Sequence, residues 1–233
     1  MVKHSGKNDR TLASSPATLT RSATGATSRL AVTPVNLPAG AELHRVHPEE
    51  YGATQFNPGP KGNARFSPIN DLKGQSIPTI YAGESFECAA METVFHDVSY
   101  APGLKAYPKS KLLGHVHSTI QTEQGLKLAD LGTKPLRKLG IQRNQLIDTE
   151  KDKYPYTRSV AQAIHAQHSD IQGLRWTSRQ DDSAYAYVFF GDRIDGTAIA
   201  QIGTSRNITK DAKAYEDTLD LAEKIGVDVV MAS

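Results

Sequence analysis

Residues 77–98, IPTIYAGESFECAAMETVFHDV, open like a strand, turn at Ala82-Gly83 and continue with the periodicity of a helix that has Glu92 in its middle. Placed on a wheel at 100° per residue, Phe86, Ala90 and Val94 share one face of that helix, and Cys88, Met91 and Phe95 lie on the other. Glu92 has no polar strip of its own, so its carboxylate is expected to be buried or partly buried. A buried ionised acid is costly unless it is paired or hydrogen-bonded. Two roles meet that condition: a structural ion pair with an arginine, or a catalytic carboxylate at the floor of a cleft. Elsewhere the chain supplies Arg45, then Arg65 at the end of a Gly/Asn-rich loop, then Tyr81, and finally Ser178 between Arg175 and Arg179. Guanidinium groups, an aromatic ring, a hydroxyl and an acid would suit a ligand with phosphates, a flat ring and a ribose, which describes a dinucleotide. Sequence alone does not bring these residues together in space.

The elements that must position them can be read from pattern. ELHRV (42–46) is expected as a strand, FNPGPKGNARF (56–66) as a loop, and IPTIYA (77–82) as a strand with Pro78 at its start. Ser85 is placed to cap the Glu92 helix, which is expected to run to about His96. Strands are expected at 112–120 and 126–131, and a polar helix over 134–147. Thr157 is expected to cap a helix with Val160, Ala163, Ile164 and Gln167 on one face. Strands follow at 173–178, 184–190 and 198–203. Thr209 is expected to open a last helix with Ala212, Tyr215, Leu219 and Ala222 on one stripe, followed by a terminal strand in VDVVMAS. Strands and helices mix without regular βαβ alternation, which points to an α+β fold.

Composition bounds the rest. Of 233 residues, 38% are hydrophobic and 22% charged, which suits a globular chain with a core. No apolar run approaches the ~18 residues of a membrane span. The lone cysteine, Cys88, excludes an internal disulfide and is expected as core filler in a reducing compartment. Residues 1–38 carry five basic side chains against the single acid Asp9, and are rich in Ser, Thr and Ala. They are expected to be a disordered tail, with ordered structure from 39 to 233. Such a basic tail leaves a nucleic-acid-binding or partner-binding protein as one competing reading. Dinucleotide-fold, P-loop and nucleophile-elbow signatures are absent. His115/His117 and His165/His168 each share a face, but no third ligand stands at telling spacing, so they are expected to be surface histidines and no metal site is expected.

In order along the chain, LHRV, NARFSP, PTIYAGESFECAAMETV, YPYTRSVAQAI and GLRWTSR resemble the RES domain, over roughly residues 42–192. The resemblance implies a compact ADP-ribosyltransferase-like α+β domain with a central NAD cleft. It implies a toxin that breaks the nicotinamide–ribose bond of NAD+, with water or phosphate as acceptor, or alternatively transfers ADP-ribose to a protein. It implies a cytoplasmic site of action, an Xre-type helix-turn-helix antitoxin as partner, and no metal, because nicotinamide leaves as a neutral molecule. By matching motif, Glu92 would stabilise the oxocarbenium-like ribose, Arg45 and Arg65 would hold the pyrophosphate, Tyr81 would stack on a ring, and Ser178 would hydrogen-bond the ribose. The insertion INDLKGQS between Arg65 and Tyr81, the basic tail and the segment after about 192 depart from the pattern of the small toxins, and the last two leave a secreted effector or an additional interaction surface open.

Overall fold

In the computed structural model, which describes residues 29–59 and 62–231, short strands and helices follow one another irregularly. In chain order they are β1 (Pro34–Leu37), β2 (Glu42–Pro48), β3 (Thr79–Gly83), α1 (Phe86–Met91), β4 (Lys105–Pro108), β5 (His115–Thr122), β6 (Leu126–Asp130) and α2 (Thr133–Leu139). Then come α3 (Arg143–Leu146), α4 (Tyr154–Gln167), β7 (Gly173–Thr177), β8 (Tyr185–Phe190), β9 (Ile199–Asn207), α5 (Ala212–Lys224) and β10 (Val227–Val230). Eight strands form one sheet in the order β1-β6-β7-β8-β3-β2-β5-β9, and β4 and β10 form a separate parallel pair. Within the large sheet only β6 and β7 run parallel, so the class is α+β, as expected.

The sheet has a seam at its centre. β2 is registered to β5 over seven residue pairs but to β3 at only one, His44↔Gly83. On one face, α4 buries Thr157, Val160, Ala161, Ile164 and His165, the i, i+3, i+4, i+7, i+8 stripe of an amphipathic helix. They join a core with Phe66, Trp176 and Phe190. A second cluster, with Leu43 and Ile120 against Ile80 and Phe189, spans both sides of the seam. A third lies under α1 and α5, where Phe95, Tyr107, Leu112 and Leu221 meet. Each such fully buried side chain contributes roughly 1.5–3 kcal/mol.

Several elements differ from the pattern reading. Of the expected tail, residues 1–28 lie outside the described residues, and Pro34–Leu37 is a strand antiparallel to β6, with Val32 and Leu37 buried. Helix α1 ends at Met91 rather than near His96. Past Met91 the N–H groups of Thr93 and Phe95 both turn back to Ala90 O, and Tyr107 captures Val94 O from outside the helix as Phe95 packs against its ring. The expected helix over 134–147 is broken at Gly140, whose φ of +69° closes a C-cap with Ile141 N on Leu136 O. Thr157 sits inside the first turn of α4 and donates to Tyr154 O and Arg65 O, so it ties the helix to the Arg65 loop instead of capping it. Asp211, not Thr209, caps α5 by accepting from Ala214 N. The buried stripe of α5 is Ala214, Thr218, Leu221 and Ala222, while Leu219 is exposed and Tyr215 lies under Lys109.

Gly83 makes the β3–α1 turn possible. A Cβ there would stand 2.9 Å from Ala89 N and 3.0 Å from Cys88 Sγ, so the strand and the helix approach closer than any side chain allows. Ser85 caps α1 as expected, accepting from Cys88 N at 3.0 Å. Among the described residues no helix is long and apolar enough to cross a membrane.

Candidate active site

Where β2 and β3 part, a cavity of about 390 Å³ opens, lined by Arg45, Arg65, Tyr81, Glu92, His96, Tyr154 and Trp176 among others. That volume lies within the range of small-molecule sites. Four of the five residues singled out from sequence therefore share one hollow. Ser178, fully buried, stands behind the wall next to Glu92.

Glu92 is half-buried and occupies the C-cap position of α1, where the chain leaves the helix. It is thus at the end of the helix and not in its middle, which explains how an acid on an apolar element reaches an opening. Ser178 Oγ donates to Glu92 Oε1 at 2.6 Å. Ser178 Oγ itself accepts from Gln180 N at 3.1 Å and Asp181 N at 3.0 Å. Because both backbone groups fix the hydroxyl's lone pairs, its proton is aimed at the carboxylate.

Arg65 is 5% exposed. Its Nη1 donates to Thr149 Oγ1 at 2.6 Å and Thr149 O at 3.4 Å, and its guanidinium carbon sits 5.3 Å from the centre of the Tyr154 ring. Its Nη2 is buried with no hydrogen-bond partner among the described residues. Burial lowers the guanidinium pKa, opposed by the charges of Tyr154 and Glu92. Native chains seldom leave a buried donor unmatched, so this atom marks where an acceptor would be welcome.

Arg45 is engaged differently. From within β2 it reaches across the seam, with Nε donating to Tyr81 O at 3.1 Å and Nη1 to the carbonyls of Gly52 and Ala53. Burial lowers its pKa to about 10. It staples β2 to β3 and to the 51–55 loop. Tyr81 is also tied down: its hydroxyl donates to Ser67 Oγ and accepts from Phe66 N, both at 3.2 Å, and burial raises its pKa to about 12. Its ring stands edge-on to Trp176 at 6.3 Å. The Arg65 loop is thereby moored to β3 by Tyr81 and to α4 by Thr157.

Sequence reasoning passed over His96 and Tyr154, which line the same cavity. Tyr154 opens α4 and His96 lies in the turn past α1, where periodicity carries no signal. The histidine pairs are not simply surface groups. His117 is buried against His44, with 2.9 Å between His44 Nδ1 and His117 Nε2, and His165 is buried against Asp192 at 2.9 Å. Among the described residues no three His, Cys, Asp or Glu side chains are grouped to hold a metal ion. Cys88 is fully buried as expected, and burial raises its thiol pKa to about 12.

A family model described as RES domain matches residues 42–211. No curated protein matches the chain.

Proposed function

Because the chain belongs to the RES-domain family, whose members are in general NAD-related toxin domains, we propose that it consumes NAD+ by breaking the bond between nicotinamide and ribose. The observation that carries this reading is the pairing of opposites in one cavity: Glu92, oriented by Ser178, and Arg65, whose Nη2 lacks a partner.

Breaking an N-glycosidic bond leaves a ribose with oxocarbenium character. A carboxylate fixed before the reaction stabilises that charge without reorganising, which is commonly the largest catalytic contribution. Ser178 holds Oε1 of Glu92, so Oε2 is the oxygen offered to the ribose. The free Nη2 of Arg65 would take a pyrophosphate oxygen in a charge-assisted bond. Arg45, with its donors on three backbone carbonyls, serves the site mainly by holding the cavity wall. Tyr81 would stack its ring on a flat base. In this reading the protein is a toxin that depletes cellular NAD+ in the cytoplasm, restrained by an Xre-type helix-turn-helix antitoxin.

Mass spectrometry of purified protein with NAD+ tests the reaction. Free nicotinamide should accumulate, and Glu92→Gln should reduce its release by about 10²–10³-fold with thermal stability retained. A Glu92→Gln protein as active as the parent would make the carboxylate structural. Label from adenylate-labelled NAD+ that ends on protein, instead of on ADP-ribose or its phosphate, would assign the chain as a mono-ADP-ribosyltransferase.

A further inference from the structure

Asp97, His96 and Tyr154 form a chain of contacts that the glycosidic chemistry described above does not use. Asp97 Oδ1 lies 2.8 Å from His96 Nδ1, and His96 Nε2 lies 3.1 Å from the Tyr154 hydroxyl. Lys151 Nζ holds the other Asp97 oxygen at 2.7 Å, and Gln180 Nε2 donates to His96 O at 3.1 Å, which links the chain to the Ser178 turn. The hydrogen bond from Lys151, and then that from His96, lowers the Asp97 pKa, so Asp97 stays a carboxylate. An ionised carboxylate only accepts. His96 Nδ1 therefore carries the proton, and in the neutral ring Nε2 is an acceptor that takes its hydrogen bond from the Tyr154 O–H. The lone pairs of the Tyr154 oxygen are left for another partner. Asp97, His96, Tyr154 and Lys151 all line the cavity that holds Glu92 and Arg65, and burial raises the Tyr154 pKa, opposed by the charge of Arg65, so its oxygen carries a proton.

We infer that Tyr154 is the group that deprotonates a hydroxylic acceptor, water or an alcohol, with His96 and Asp97 as positioning residues that draw the proton away. The inference rests on the N-glycosidic reading. As the C1′–N bond breaks, its electron pair goes to the pyridine nitrogen and nicotinamide departs neutral. The acceptor oxygen forms the C1′–O bond and gives its proton to the Tyr154 oxygen. The proton of Tyr154 moves at the same time to His96 Nε2. Asp97 stabilises the resulting imidazolium, and the extra proton returns to solvent as product leaves. This leaves Glu92 as stabiliser of the ribose cation and separates the two duties that one carboxylate would otherwise carry.

An anionic nucleophile needs no base, so azide discriminates. Nicotinamide release is measured for wild type, Tyr154→Phe and His96→Gln, with and without sodium azide, together with KM for NAD+ and a thermal melt. Both variants should lose about 10²-fold or more in hydrolysis, the size of a general-base contribution. KM should stay within about twofold. Azide should restore nicotinamide release in the variants and yield ADP-ribosyl azide. Hydrolysis at the wild-type rate, or a loss that azide does not relieve in a folded variant, overturns the inference while the glycosidic reading stands. Should Tyr154→Phe unfold, His96→Gln decides by the same criteria. A wild-type protein that releases no nicotinamide overturns the glycosidic reading, and the role of Tyr154 falls with it.

Discussion

Arg45 and Arg65 look alike in the sequence, and each was expected to grip phosphate. Their surroundings separate them. Three donor contacts of Arg45 end on backbone carbonyls, whereas Arg65 keeps a buried Nη2 without a partner. Removing the first therefore strands carbonyls, each unsatisfied group costing about 1–3 kcal/mol. In the proposed reading, removing the second takes away a contact to NAD+. Arg45→Met should lower the melting temperature sharply. Arg65→Ala should raise the dissociation constant for NAD+ by about tenfold or more, the size of one charged hydrogen bond, with a smaller loss of stability. Calorimetry and thermal melts on the two variants check the contrast, and equal effects on both quantities would show that the arginines are not divided in this way. The order Arg–Arg–Tyr–Glu–Ser was legible through the ordered resemblance to the RES domain, and Glu92 also because an acid interrupts an apolar run. The division of labour was not, because it depends on which carbonyls a guanidinium meets across a seam that no local pattern encodes.

Helix α1 shows how much of an element pattern can reveal. Its cap at Ser85, its apolar faces and the small-residue turn before it were all readable. Its length was not, since no glycine or proline ends it: the stop comes from Phe95 turning into the third core cluster and from Tyr107 taking Val94 O. The same holds for α5, whose core face was misjudged because the surface it meets accepts the small residues Ala214 and Thr218 in place of Tyr215 and Leu219. The four-residue strands β1 and β4 were hidden for another reason: β1 lies within a stretch whose average composition is polar, and neither is long enough to show a period. The close approach at Gly83 gives a test of how firmly α1 must dock. Gly83→Ala sets a methyl 2.9 Å from Ala89 N, a backbone atom that cannot swing aside. The variant should be destabilised by roughly 1–3 kcal/mol, the usual range for overpacking, and should lose nicotinamide release as well, because Glu92 moves with the helix. Denaturant melts and turnover measured together check this, and full stability would mean that the turn relaxes freely.

For the molecule as a whole, two buried imidazoles couple folding to acidity. Burial, reinforced by the charge of Arg45, lowers His47 to about 4. Burial, with His44 and Arg206 adding to it and Asp217 opposing, lowers His117 to about 4. In the unfolded chain both titrate near the ordinary value of about 6.5. Between those two values the unfolded state binds more protons, so stability is fully present above about pH 6.5 and is lost progressively as pH falls toward 4. Melting temperature should drop from neutral pH to pH 4.5 (about two units below the ordinary imidazole value). A His47→Gln, His117→Gln double variant should show a shallower drop, and parallel curves would assign the loss to other groups.

The single pairing of His44 with Gly83 carries a consequence of its own. A long ladder of backbone bonds would lock the two halves of the sheet in fixed steps. Here they are joined by one rung, an arginine staple, a greasy contact, the backbone pair of Asn57 with Thr79, and helix α1, which packs on both β2 and β3. At this point the sheet is therefore held more by side chains than by paired peptide groups, unlike its neighbouring strand pairs. The gap is lined from both sides, by Arg45 of one half and Tyr81 of the other, so one small molecule there can touch both.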